Sequence, residues 1–458
     1  MGSFPKHVNH ELSPMACPVD LDDVDLFGPG AQEHWYEAYE ILHRDAPVLR
    51  IPAGGVEPGT DAFVLTSYAD VSRVVRDPER FPSRTQVQVG EFAKRYADAE
   101  EAYAASRSLM LASMTTLRPT QEMYIHHRKE LTDPWVGPGS RRHRAMITRH
   151  ANDLVDEWID SGEVEFVGRF ARPLPQRVMA SVLGFPHEDI PQLARWGDGL
   201  VMPFVQGHGH KHELTPEQTA QMLDRVSGFQ DYIYEHVRAK RQDPQDDMVS
   251  FLCNVHYEAL DRKLTDLEIA GIVHAMILGG LETTQYALEE QAQLLCEHPS
   301  LFGELRHDRS KVRPFTEEAM RVRSPTHGLS TRTAVHDEVF QGVEVPAGSL
   351  LHLRYAAANV DEQEFAHALD VDLEREGFTR HVAFSTGPRV CPGANLSRLE
   401  QQIAWGVLLD RLESIEYGDG NDWLHQPGIM LGTLKLNLRF TKADPPLSLG
   451  TGRATAAD

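Results

Sequence analysis

The stretch FSTGPRVCPG at 384–393 constrains this chain more than any other. Cys391 stands in a loop punctuated by Gly387, Pro388, Pro392 and Gly393, residue types that set turns. The text after it, ANLSRLEQQIAWGVLLDRL, has the apolar spacing of a buried helix. Such a loop holds a sulfur still while leaving backbone N–H groups free to point at it. A nearby helix N-terminus also favours thiolate over thiol. Read from the residues alone, this is an anionic sulfur ligand offered to a metal. A lone cysteine is otherwise a small buried hydrophobe, or a nucleophile with a distant histidine. Neither explains the spacing of Phe384, Gly387, Arg389, Cys391 and Gly393, then Leu396 and Arg398.

Composition narrows the class. A net charge of −23 over 458 residues argues against nonspecific binding to nucleic acid or anionic membranes. The other three cysteines, Cys17, Cys253 and Cys296, are scattered with no CxxC, so a disulfide framework is not expected and a reducing compartment is. The first twenty residues hold no apolar run suited to a signal peptide, and no stretch reads as a membrane span. A soluble, cytoplasmic protein without a membrane anchor is expected.

Along the chain, residues 1–30 are polar and read as an arm over the surface. Residues 32–43 and 68–76 read as helices, and 48–51 and 62–66 as short strands joined by a hairpin-like connection. The tract 81–139 reads as long and irregular with one alanine-rich helix at 91–114; a long loop is often functional. Residues 140–159 form a helix that begins with Arg141, Arg142, Arg144 and Arg149. His208, His210 and His212 invite a metal reading, but no acidic or cysteine partner stands at ligand spacing; a solvated turn between helices is the better account. Thr215 with Gln218, and Thr265 with Glu268, are capping boxes. The second opens the longest helical pattern, 264–298, interrupted by GGLETT at 279–284. Two glycines inside a helix cost about 1 kcal/mol each relative to alanine, so they mark close packing, a kink or a use. TEEAMRV at 316–322 carries an ExxR pair, Glu318 and Arg321.

In this order and spacing the motifs resemble those of the cytochromes P450. The cysteine loop resembles that family's haem-binding signature, GGLETT its oxygen-side helix, and Glu318/Arg321 the pair that locks the core beneath the haem. The resemblance covers nearly the whole chain. It implies a mainly α fold with small β-sheets (α+β), with haem b, iron protoporphyrin IX, between the oxygen-side helix and the cysteine loop. A single haem domain is expected over 31–442, between the arm and a flexible tail at 443–458. Cys391 is the implied iron ligand. Phe384, Arg389, Gly393 and Gly279 are implied cofactor contacts, with Arg332 and Arg144 joining Arg389 on the haem carboxylates. Ser140 falls where the family usually has a histidine, four residues before Arg144. Glu282 and Thr283 are the implied catalytic pair, the acid relaying protons and the alcohol orienting oxygen or its water. Pro392 has no N–H to give the sulfur, so a more electron-rich thiolate and a lower iron potential are expected.

The implied activity is a haem-thiolate monooxygenase acting on an apolar small molecule. Its electrons come singly from a ferredoxin and an NAD(P)H-dependent reductase, since about 65 residues after the haem loop are too few for a fused flavin or ferredoxin domain. Expected substrate walls are Met276, Gly279, Thr283, residues 325–329 and residues 429–431, and the arginines at 141–149 could dock an acidic electron donor. A peroxide-using or O2-independent relative is the first alternative, against which Glu282 and Thr283 argue. A haem-based sensor, which gives no reason for an acid–alcohol helix, is the second.

Overall fold

Side-chain caps decide where the helices begin. In the computed structural model, which describes residues 15–444 apart from His208 and Leu329, Ser67 caps the helix Tyr68–Arg76. Thr215 and Gln218 exchange both bonds of a capping box ahead of Pro216–Val226. Thr265 and Glu268 do the same ahead of Asp266–Gly280. The same chemistry corrects the reading of 81–139. That tract is largely helical, as Arg84–Arg95, Ala99–Ser106, Leu109–Leu117 and Gln121–His127, each opened by a cap: Ser83, Asp98, Ser108 and Thr120. Each cap oxygen accepts an N–H three residues on, satisfying a donor that a helix start leaves unpaired. The expected single helix is broken between Arg95 and Ala99 and again at Arg107, which has a left-handed backbone.

The fold is mainly helical with small sheets, as expected. Four short strands lie in the order Val48–Ile51, Ala62–Leu65, Leu350–Leu353, Ser330–Thr333. The outer pairings are antiparallel and the central one is parallel. Arg332 sits opposite Leu351 and is buried at the sheet edge. A hairpin joins Glu338–Phe340 to Val343–Val345 across Gln341 and Gly342, both at positive φ. Near the end only Asn437–Lys442 forms a strand, pairing with Leu412–Tyr417 and Glu163–Glu165. Before it, Met430 and Thr433 make only isolated bridges, to Thr326 and to His425.

The main core packs the helices Arg144–Asp156, Pro173–Leu183, Asp266–Gly280 and Ala394–Arg411 around one another. The described part of the N-terminal arm is not a loose cover. Leu26 and Ala31 are buried with Trp35, Tyr39, Val64 and Leu431. The run Asp266–Glu297 is long and apolar enough to cross a membrane by length and composition, which the sequence reading did not expect. In this fold 61% of its apolar window is buried inside the protein, as for a core helix.

Beneath that core, on the helix Val312–Val322, Glu318 and Arg321 form a two-point ion pair at 2.8 and 2.9 Å, both fully buried. Arg321 also donates to the carbonyls of Asn359, Ala368 and Asp370, while Glu318 accepts from Arg375 and from the Asp372 N–H. An ion pair at this helical spacing is worth little on a surface; here removal of one partner strands a buried charge. Arg321→Met is expected to lower unfolding free energy by about 3–5 kcal/mol, read as a shifted urea midpoint by circular dichroism; a shift within error would make the pair dispensable.

Candidate active site

The cysteine loop is fixed from both ends. The Cys391 N–H donates to the Phe384 carbonyl at 2.9 Å, closing the loop on itself. Ser385 and Gly387 take left-handed backbones, and a Cβ on Gly387 would press on the Arg76 backbone at 3.1 Å. The helix Ala394–Arg411 starts directly beyond. Burial pushes the Cys391 thiol up; the Gly393 and Ala394 N–H groups, with Arg128 and Arg398 nearby, act in the opposite sense. Those two N–H groups therefore point at the sulfur. Pro392 supplies none, as its ring dictates.

The loop is braced from below by Glu317, the neighbour of Glu318. Arg398 donates to it twice, at 2.7 and 3.0 Å, and His381 lies 2.9 Å away. Burial pushes the Glu317 carboxyl up, but the His381 and Arg398 hydrogen bonds outweigh it and hold it at about 2. Arg398 also covers the Phe384 ring at 4.4 Å.

Beside the loop lies a cleft of about 170 Å³, lined in part by Glu79, Arg118, Gln121 and Arg389. Arg389 donates to Gln121 Oε1 and stacks on Tyr124 at 4.0 Å. Burial, then the like charges of Arg118 and Arg332, push it down to about 10, against the opposing pull of Tyr124. Arg128 donates to the Val390 carbonyl next to the cysteine, at 2.7 Å. No carboxylate pairs with Arg118, Arg332 or Arg389 among the described residues.

Across from the loop the long helix breaks. Asp266–Gly280 ends, Leu281 and Glu282 fall outside regular helix, and Thr283–Glu297 resumes. The Thr283 hydroxyl donates to the Gly279 carbonyl at 3.0 Å, bridging the break. A Cβ on Gly279 would meet nothing within 4 Å, so this side of the helix faces open space. Burial raises Glu282 to about 7. Its Oε2 accepts from the Tyr286 hydroxyl at 2.9 Å.

Residues 208–440 match the family model for cytochrome P450. The chain is 30% identical over 424 residues to cytochrome P450 107B1 of Saccharopolyspora erythraea, covering 92% of this chain and 98% of that protein. The chain belongs to the cytochrome P450 family. It is also 29% identical over 383 residues to cyclomarin C epoxidase CymV of Salinispora arenicola, covering 83% and 91% of the two chains. The structure of the Bacillus subtilis bacillaene polyketide synthase P450 PksS superposes with a TM-score of 0.75 at 22% identity, over 92% of this chain and all of that one; this likeness concerns the fold.

This P450 is thus a haem-iron monooxygenase, and the residues present fit the cofactor. Haem carboxylates would answer the guanidiniums of Arg118, Arg332 and Arg389, which have no carboxylate partner among the described residues. Two buried atoms at the same place, Gln121 Nε2 and His127 Nδ1, lack any partner. The open face at Gly279 leaves space beside the break in the helix.

Phe384, Arg389, Cys391 and Gly393 lie together in the loop, Arg332 lies beside Arg389, and Gly279, Glu282 and Thr283 share the broken helix. Arg144 is the exception. It begins the helix Arg144–Asp156 exposed to solvent, and Arg389's charged neighbours do not include it. Ser140 is buried in the 3-10 turn Pro138–His143. Tyr124 and Arg128 stand where Ser140 and Arg144 were expected, four residues apart, with the Tyr124 hydroxyl 3.5 Å from Arg128 Nη1. The missed residues Arg118, Gln121, Tyr124 and Arg128 had one usable signal, a Thr120 cap ahead of a short helix holding an i,i+4 pair. His210 contacts the Gly54 carbonyl at 2.7 Å and His208 lies outside the described residues. The one metal-compatible group found among the described residues is elsewhere, at Cys17, His34 and Glu37.

Glu317→Gln removes the anion from this brace, and purified protein is expected to carry a smaller haem fraction by its Soret absorbance. The carboxyl lies below its ordinary value of about 4.3, so its stabilisation is complete above that pH and is lost as pH falls toward 2. The gap between wild-type and E317Q urea midpoints should therefore narrow as pH drops from about 5 toward 3; a gap independent of pH would contradict the ionic brace.

Proposed function

We propose that this P450 inserts one atom of O2 into an apolar small-molecule substrate in the cytoplasm. Its electrons come from a separate ferredoxin and NAD(P)H-dependent ferredoxin reductase. When bound, the haem supplies oxygen activation at a thiolate-ligated iron. Cys391 holds the iron while Gly393 and Ala394 temper the sulfur charge. Arg332 and Arg389, with Arg118 and Arg128, orient the ring through its carboxylates, and Phe384 closes the loop behind the sulfur.

The observation that carries the reading is the break at Leu281–Glu282. Across it the Thr283 hydroxyl gives its proton to the Gly279 carbonyl, so its oxygen is free to accept. The neighbouring acid, raised to about 7, exchanges protons at neutral pH. The two side chains face different neighbours, so a proton passes between them through water or by rotation of Glu282.

An apolar substrate suits the walls. Pro325 and His327 bond through their backbones to Leu431 and Ile429, and the Ile429 N–H reaches Phe204 on the helix Ile190–Gln206. Val201, Val205 and Met430 pack together beside Tyr286. Among similar proteins, one is named 6-deoxyerythronolide B hydroxylase and another cyclomarin C epoxidase, and a hydroxylation or epoxidation is the kind of reaction proposed here.

The ferrous–CO difference spectrum tests the ligand: a strongly red-shifted Soret band is expected and should vanish in Cys391→Ala, whereas its persistence would remove Cys391. Thr283→Ala, reconstituted with ferredoxin, reductase and a compound found by spin-state shift, should lose product per NAD(P)H by about tenfold or more and gain hydrogen peroxide. Full coupling in that variant, or turnover needing peroxide and no NAD(P)H, would sink the O2-dependent reading.

A further inference from the structure

The N-terminal arm holds a second set of metal-ligand side chains, far in sequence from the cysteine loop. Cys17 Sγ, one ring nitrogen of His34 and a carboxylate oxygen of Glu37 lie within 4.8 Å of one another. His34 immediately precedes the helix Trp35–Asp45, and Glu37 stands in its first turn. The arm brings Cys17 to that end of the helix. Its exposed thiol gives its proton to a weak 3.8 Å contact with the Pro18 carbonyl. The His34 imidazole is buried. Its Nε2 lies 3.0 Å from the Met15 carbonyl, which can only accept, so the ring is fixed and the lone pair of the neutral form sits on Nδ1. Ligating histidines are ordinarily held this way, by their other N–H on a carbonyl. Burial raises the Cys17 thiol, and the Glu37 carboxylate raises it further, so two groups that form anions repel each other here. From Met15 to His43 the sequence has seven acids and no lysine or arginine to relieve that repulsion.

We propose that Cys17, His34 and Glu37 bind a zinc ion, with water as the fourth ligand, and that the ion fastens the arm to the helix Trp35–Asp45. Thiolate, imidazole and carboxylate are the donor types of tetrahedral zinc, at bonds of about 2.0–2.3 Å that set the donors roughly 3.5 Å apart. Cys17 and Glu37, neither of them fully buried, close to that spacing by rotating about their own bonds, while His34 stays in place. Calcium and magnesium take oxygen ligands and do not suit the sulfur. On binding, the thiol loses its proton to solvent and the thiolate electron pair goes to the metal; nothing is oxidised or reduced. Further along the same arm, Leu26 and Phe27 line a cleft of about 320 Å³ with Val205, His212 and Ile429, so the fastened segment is one that shapes this side of the protein. The proposal does not depend on the haem chemistry.

The test follows alkylation of Cys17 by iodoacetamide, read by peptide mass spectrometry, on holoenzyme freed of loose metal with EDTA, desalted and given Zn2+ alone. Without metal the exposed thiol should react freely. Micromolar Zn2+ should slow the reaction by about tenfold or more, because a coordinated thiolate is shielded. EDTA should restore the rate, and Ca2+ or Mg2+ should leave it unchanged. Glu37→Gln keeps the shape and removes the anion; it and His34→Gln should each need roughly tenfold more zinc for equal protection. His34 is buried at a helix start, so Glu37→Gln decides the matter if the histidine variant does not fold. Zinc held by the thiol alone would protect Glu37→Gln as well as wild type, and zinc held elsewhere on the protein would not protect Cys17; either result overturns the site. Hydrogen exchange of the amides between Met15 and Asp25 should slow with Zn2+ in wild type and not in Cys17→Ser. Equal exchange with and without zinc in wild type overturns the fastening of the arm.

Discussion

The structure depends on two consecutive carboxylates, Glu317 and Glu318. Neighbours on a helix point about 100° apart, so one turn of Val312–Val322 serves two segments. Glu318 looks toward 359–375, where Arg321 and Arg375 turn its charge into hydrogen bonds with five backbone carbonyls. Glu317 looks toward the cysteine loop, where His381 precedes the ligand and Arg398 follows it. Both acids are buried, and each would be costly alone. Paired, they convert a hydrophobic core into a support with defined angles, which packing by itself does not provide. Cys391, as the proposed iron ligand, needs that: a loop free to shift would lose the two N–H groups aimed at its sulfur.

The distance between the sulfur and the oxygen side is set by a second polar link. The Thr284 hydroxyl donates to Ser397 Oγ at 2.9 Å, tying the resumed helix to the helix that follows Cys391. Gln401 donates to the same Ser397 oxygen, and Gln291 and Trp405 continue the chain. The residue adjacent to Thr283 is thereby fixed to the ligand's own helix. The break at Leu281–Glu282 can then relax without moving Thr283, and the energetic cost of Gly279 and Gly280 is confined to one turn.

Motifs whose meaning lies within one turn were legible in the sequence. The cysteine loop, the capping boxes at Thr215 and Thr265, and the Glu318/Arg321 spacing all stand where the sequence put them. The errors share a cause. Arg144 was assigned from the resemblance, four residues after Ser140 at the start of a basic helix, but a spacing of four on an arginine-rich helix does not distinguish a solvated face from a buried cluster. Tyr124 and Arg128 sit in text that is not arginine-rich, and the helix loosens into a π turn at Arg128–Thr132, shifting later residues out of helical register. The tract 81–139 was read as irregular because its four helices are short and each was weak in periodicity, although their caps were visible.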